Sequence, residues 1–254
     1  MARIARVIVE HLPHHIIQRG NRNQPVFFED ADKAEYLHLL RQFTRQQGIE
    51  VWAYCLMDTH VHLILVPRRV EGLARALAET HKRYTRRINF RFGWRGYLWQ
   101  GRFSSYVMDE RYLYAAVRYV ERNPVAAGMV ARAEEYAWSS ARAHVFKQPD
   151  PVLSPSFLDA QITDWAAYLR TEDEAPVPVE RHLKTGRPLG GRVFIRGLEQ
   201  RMGRPLGKAK PGPRPKRIKD VSPELPGGRI KRYTLTQKRS TLQTTTRCRA
   251  TDAT

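Results

Sequence analysis

The sequence predicts an α+β fold: a ferredoxin-like or RRM-like antiparallel sheet with helices on one face. Three observations lead there. Strand-like and helix-like signals alternate as β-α-β-β-α-β-α through the first 147 residues. Two strand-like runs face each other across the turn-forming pair Asp58–Thr59. The chain, at 254 residues, is long enough for one sizeable core with appendages.

The first strand is HHIIQRG, ending at Gly20. Asp30 or Asp32 then caps a helix whose apolar positions Tyr36, Leu37, Leu39, Leu40 and Phe43 recur at helical spacing until Gly48. IEVWAYCLM is a β-rich run, and HVHLILV pairs with it as far as Pro67. Leu73, Leu77 and Tyr84 mark a long basic helix over about 71–91. FSSYVM supplies a further strand, and Glu110 opens a helix that runs to Asn123, where Pro124 is expected to stop it. Residues 148–157 contain three prolines and read as a linker. Beyond it, Trp165, Tyr168 and Leu169, then Val193, Phe194 and Leu198, suggest two short helices in an accessory region to about residue 204. From 205 to 254 apolar residues are isolated and aperiodic, so that stretch reads as a disordered basic tail.

The charge is large and unevenly placed. Lys and Arg number 44 against 25 Asp and Glu, a formal net charge of +19. Residues 1–150 carry net +8, residues 151–200 net −1 and residues 201–254 net +12. Such an excess suits a polyanionic partner. No run approaches the roughly 18 apolar residues of a membrane span, and no signal-peptide pattern opens the chain, so nucleic acid is the expected partner and the cytoplasm the expected compartment. Cys55 and Cys248 lie too far apart in sequence and setting to suggest a disulfide framework or zinc cluster.

His60 and His62 are two apart on a predicted strand, so both side chains leave one face of the sheet. Paired imidazoles are half of a divalent-metal site; equally, one could be a buried hydrogen-bonded histidine and the other incidental. On the later helix Tyr119 and Asn123 are one turn apart on one face. A phenol beside an amide oxygen combines a nucleophile with a third metal ligand. The competing reading makes Tyr119 a core aromatic and Asn123 a helix C-cap. Tyr112 and Tyr114 are neighbouring rival tyrosines. The stretch 81–102 has seven basic residues, no acidic one and six aromatics, a mixture that can track phosphates and stack unpaired bases. Lys82, Arg83, Arg86, Arg87, Arg91, Arg95 and Arg102 are its candidate DNA contacts; Tyr84, Trp94 and Trp99 compete for places in the core. Arg19, Arg22 and Asn23 follow the first strand and are further candidates.

The ordered segments HHIIQRGNRNQPVFFEDAD, YCLMDTHVHLILVP, WRGYLWQGRFSSYVM, YVERNPVAAGMV and EYAWSSARAH resemble the HUH single-tyrosine transposases, more closely their branch associated with repetitive extragenic palindromes (REP). The resemblance spans about residues 10–147 and continues weakly through KTGRPLGGRVFIRGLEQRMGRPLG. It implies a catalytic domain of the HUH endonuclease fold over 1–147, with His60 and His62 as metal ligands, Tyr119 as nucleophile and Asn123 as helical polar ligand, although relatives often carry Gln there. It implies Mg²⁺ or Mn²⁺, cleavage of single-stranded DNA beside a hairpin, a 5′-phosphotyrosine and a free 3′-OH. A nucleoid-associated bacterial protein is then expected, with a monomer slightly favoured over a homodimer. Two other classes stay open: a hairpin-binding protein without catalysis, and an amidohydrolase, whose first metal motif DTHVHL resembles but whose barrel of roughly 250 residues leaves little room here.

Overall fold

The structure, a computed structural model, describes residues 5–171 and 186–207. Four strands and three long helices follow in the expected order: β1 (His14–Arg19), α1 (Asp30–Gln46), β2 (Ile49–Met57), β3 (His60–Pro67), α2 (Val70–Phe92), β4 (Ser104–Val107) and α3 (Glu110–Ala126). The sheet runs β2-β3-β1-β4, with neighbours antiparallel. β3 lies between β1 and β2, which is what splits the βαβ unit. Among the described residues this is one small sheet, so the barrel required by an amidohydrolase is not the fold.

Cover comes from both sides, and here the sequence-based expectation of helices on one face needs correction. α1 and α2 bury Tyr36, Leu40, Phe43, Leu73, Leu77, Tyr84 and Ile88 against Val61, Leu63 and Leu65 of β3. On the opposite face α3 places Leu113, Ala116, Val117 and Val120 against Ile17, Cys55, Ile64 and Val66. The cause is legible in the strands: β2 and β3 are apolar at nearly every position and buried almost throughout, and a strand with two apolar faces needs two layers of cover.

Helix ends differ in detail from the sequence pattern. Glu29 caps α1 and forms a reciprocal capping box with Asp32, so neither Asp30 nor Asp32 is the cap itself. Asp109 caps α3 by accepting from the Tyr112 backbone at 3.0 Å. Pro124 does not stop α3; it sits buried in the last turn, and the helix continues to Ala126. The cost of one missing backbone donor is tolerated there because little helix remains beyond it.

The proline-rich stretch 148–157 is not a free linker. β2 is an edge strand, and its outer backbone groups are taken up by residues 138–154. The Leu56 N–H donates to Trp138 O at 2.9 Å, the Ser140 N–H to Tyr54 O at 3.0 Å and the Ser154 N–H to Val51 O at 2.8 Å. Tyr54 Oη donates to Asp150 at 2.8 Å, and Val152 is buried in the α1–α2 core. An unpaired edge is a strong backbone attractor, which explains the docking.

Four shorter helices complete the described chain: α4 (Ala141–Phe146), α5 (Leu158–Gln161), α6 (Trp165–Arg170) and α7 (Arg192–Met202). The last two contain Trp165, Tyr168 and Leu169, and Val193, Phe194 and Leu198, respectively, and Trp165 is buried in the α3-side core. Leu198 of α7 and Leu206 are buried with Val7, Val9 and Val107, so ordered packing extends past residue 205. The remainder of the predicted basic tail, 208–254 with Cys248, lies outside the described residues. Among the described residues, no helix is long and apolar enough to cross a membrane.

Candidate active site

The period of two along β3 sends His60 and His62 to the face covered by α3. Their ring centroids lie 4.9 Å apart. His62 is fully buried and His60 partly so. α3 crosses the same face, and its helical spacing brings Tyr119 and Asn123 over the pair. Tyr119 meets His62 edge-on at 5.5 Å between centroids. The Asn123 side chain hydrogen-bonds His60 and donates from Nδ2 to the Tyr119 carbonyl at 3.1 Å. Asn123 is therefore tied to both the metal-type pair and the tyrosine, rather than serving only its own helix end. Tyr112 and Tyr114, the rival tyrosines, are half-buried packing partners of the α3 core.

Beside this group lies a cleft of about 410 Å³, lined by Met57, His60, Tyr119 and Asn123 together with Arg118 and Arg122. These two arginines were missed in the sequence. They flank Tyr119 and lie one helical turn apart, a signal that becomes readable only once the cleft is known. His15 was missed as well. It projects from β1 with its Nε2 3.0 Å from Nδ1 of His62. Its neighbour His14 faces away and is spent on the backbone, bonding the Leu12 carbonyl at 2.7 Å and accepting from the Val9 N–H at 3.1 Å.

Electrostatics hold the imidazoles neutral. Burial lowers the His60 pKa to about 4, helped by the nearby Arg19 charge and opposed by the Asn123 hydrogen bond. Burial also pushes His62 well below its ordinary value, with His15, His60 and Arg19 adding to the effect. His15 falls to about 3 through burial. A neutral imidazole is the metal-binding form.

The donors fit a divalent cation. His62 Nε2 is buried without a hydrogen-bond partner among the described residues, which is costly unless something binds it. Thr59 Oγ1 lies 2.9 Å from His60 Nδ1 and can accept its proton, leaving the other ring nitrogen as a lone pair. No group of three His, Cys, Asp or Glu side chains suited to a metal exists among the described residues, so the available set is two imidazoles and the Asn123 amide.

The basic candidates separate into two groups. Arg91 is committed to structure: it forks onto Asp32 with both contacts at 2.7 Å and also meets Glu29. Lys82 and Arg83 pair loosely with Glu79, at 3.4 and 3.6 Å, and Arg87 reaches Glu35 at 4.0 Å. Arg19, Arg22, Asn23, Arg86, Arg95 and Arg102 are exposed. Arg22 and Asn23 turn the chain with positive φ, 53° and 60°. The aromatics divide too. Tyr84 and Trp99 are buried, whereas Trp94 is 48% and Tyr97 90% exposed. Phe92 stacks on Trp94 at 4.7 Å, with Phe28 against both.

Residues 8–123 match the transposase family described as IS200-like. That span begins before β1, contains His60, His62 and Tyr119, and ends on Asn123. Among solved structures, a REP-associated tyrosine transposase bound to a REP hairpin aligns with a TM-score of 0.51 at 18% identity, covering 61% of this chain and 92% of that one. A candidate transposase from Deinococcus radiodurans R1 aligns with a TM-score of 0.34 at 23% identity, over 48% of this chain and 97% of that one. No curated protein matches the chain. The first of these structures shares the fold, a four-stranded antiparallel sheet with its helices. Fold and family match agree over this domain: residues 8–123 are similar to the IS200-like transposases.

Proposed function

We propose that this protein is a metal-dependent single-stranded DNA endonuclease and strand transferase that acts beside hairpins of repetitive extragenic palindromes. The observation carrying this reading is the meeting of Tyr119 and Asn123 on α3 with His60 and His62 on β3. His60, His62 and Asn123 would hold Mg²⁺ or Mn²⁺. Bound there, the cation would polarise the scissile phosphate and stabilise charge on it.

The remaining work falls to the chain's own groups. Tyr119 Oη attacks phosphorus, loses its proton and forms a 5′-phosphotyrosine; the bond to the 3′ oxygen breaks, and that oxygen leaves as a 3′-OH. Reversal with another 3′-OH joins strands and releases Tyr119. Arg118 and Arg122 line the cleft where the phosphate would lie, and their charge favours a polyanion. The exposed Arg86, Arg95 and Arg102, with the Phe92–Trp94 stack, would hold unpaired nucleotides. The neighbouring structure's REP hairpin supports a hairpin as the substrate element. Tyr119 approaches a histidine of its own chain, which supports a site complete in a monomer.

The test is incubation with labelled hairpin-bearing single-stranded DNA and Mg²⁺ or Mn²⁺. A denaturation-resistant protein–DNA adduct is expected, and none in Tyr119→Phe. Binding of a cognate hairpin without any adduct would favour a non-catalytic hairpin-binding protein instead.

A further inference from the structure

His15 occupies a position that the proposed reaction does not use directly. It is fully buried on β1, where it is bonded to His62 and meets Tyr119 edge-on at 6.0 Å between centroids. The two rings are 5.2 Å apart between centroids and inclined by 30°. That separation suits two rings joined nitrogen to nitrogen, rather than one lying over the other. One proton can occupy the link between His15 Nε2 and His62 Nδ1, and its owner determines the chemistry of His62.

Two arrangements are available. In the first, His62 carries its proton on Nδ1 and donates to His15, so His62 Nε2 is a lone pair. In the second, His15 donates from Nε2, His62 accepts at Nδ1, and His62 Nε2 bears the proton. Both leave His15 Nδ1 and His62 Nε2 buried without hydrogen-bond partners among the described residues. A cation binds His62 Nε2 only in the first arrangement. We infer that His15 is a positioning residue that accepts the Nδ1 proton of His62 and so presents Nε2 of His62 as a metal-ligating lone pair.

This inference rests on the reading of His60 and His62 as metal ligands. It extends that reading to β1, because a ligating histidine depends on an acceptor for its second ring nitrogen to fix tautomer and orientation. A backbone carbonyl or carboxylate commonly serves that purpose. Here the acceptor is a second imidazole, its Nε2 3.0 Å from Nδ1 of His62.

The experiment compares Mn²⁺ binding, read by the electron paramagnetic resonance of free Mn²⁺, in the full-length wild type, His15→Phe and His15→Gln. Phenylalanine fills the space without an acceptor, and affinity should fall about 10- to 100-fold. Glutamine restores an acceptor oxygen, and most of the loss should be recovered. Imidazole ¹⁵N shifts of metal-free wild type supply a second readout and remain informative if His15→Phe fails to fold. A proton on Nδ1 of His62 supports the inference; a proton on Nε2 overturns it. Equal Mn²⁺ affinity in wild type and folded His15→Phe also overturns it, while leaving the metal site intact. Absence of Mn²⁺ binding by wild type would instead overturn the ligand reading and the inference built on it.

Discussion

Tyr119 and His62 come from different layers of the fold and meet edge to face, their ring planes at 82° and their centroids 5.5 Å apart. This contact joins α3 to the centre of the sheet. Replacing Tyr119 with Phe keeps the ring and removes the hydroxyl, so the fold and DNA binding should persist. Covalent adduct should drop to background, as read on denaturing gels. Adduct at wild-type yield in that variant would remove Tyr119 as nucleophile.

Asn123 links His60 to the Tyr119 carbonyl. Asn123→Ala should weaken Mn²⁺ binding by about tenfold or more, using the loss seen when groups around a metal site are removed. The expected thermal shift is small because Asn123 is only partly buried. Calorimetric titration checks the first point and a melting curve the second. Unchanged affinity would exclude the amide as a ligand.

Arg91 and Arg86 lie on the same helix but should fail in different ways. Arg91 neutralises Asp32, which is fully buried. Arg91→Ala should therefore cost about 1–3 kcal/mol of stability, moderated because the arginine is itself partly exposed. Arg86 is exposed, and Arg86→Ala should leave stability nearly unchanged. It should lower the dependence of log K on log salt by about one phosphate contact. Melting curves and salt titrations of hairpin binding distinguish the two.

A buried polar group behind α3 should make stability depend on pH. Glu121 accepts from Ser140 and lies 2.7 Å from His144 Nδ1, and His144 stacks on Trp165 at 4.1 Å. Burial pulls the His144 pKa down, but the charge and hydrogen bond of Glu121, with Asp159 and Asp150, raise it overall. The folded protein therefore holds this proton more tightly than the unfolded chain. The resulting stabilisation is complete below about pH 6.5 and disappears as pH rises through the elevated folded value. Buried neutral His15, His60 and His62 oppose this trend below about pH 6.5. The decline is therefore read by denaturant unfolding as the stability difference between wild type and Glu121→Gln, which should shrink as pH rises from about 5 to about 9. A difference that stays constant or grows across this window would contradict the assignment.

Much of the fold was legible because periodicity is local. The β-rich runs of β2 and β3, the 3.6-residue spacing of Tyr36, Leu40 and Phe43, and the break at Gly48 are written in adjacent residues. Boundary errors arose where a tertiary contact outweighed a local preference. Pro124 stayed inside α3, and the 148–157 stretch was drawn onto the edge of β2. Within the site, the placement of His60 and His62 on one face followed from their spacing. Arg118 and Arg122 needed the cleft before their spacing meant anything, and Arg91 looked like a DNA contact until Asp32 was seen beneath it.

By itself the sequence determined the order of elements, the shared face of His60 and His62, the turn-spaced pair Tyr119 and Asn123, and the excess positive charge. Each depends on residues within a few positions of one another, or on composition. Only the tertiary structure decided which side of the sheet α3 covers, and hence that Tyr119 faces His62. It alone joined His15 to His62 across 47 positions and Glu121 to His144 behind the same helix. The strands themselves show that both sheet faces need cover, but which helix covers which face, and which side chains then meet, depends on the whole packed chain.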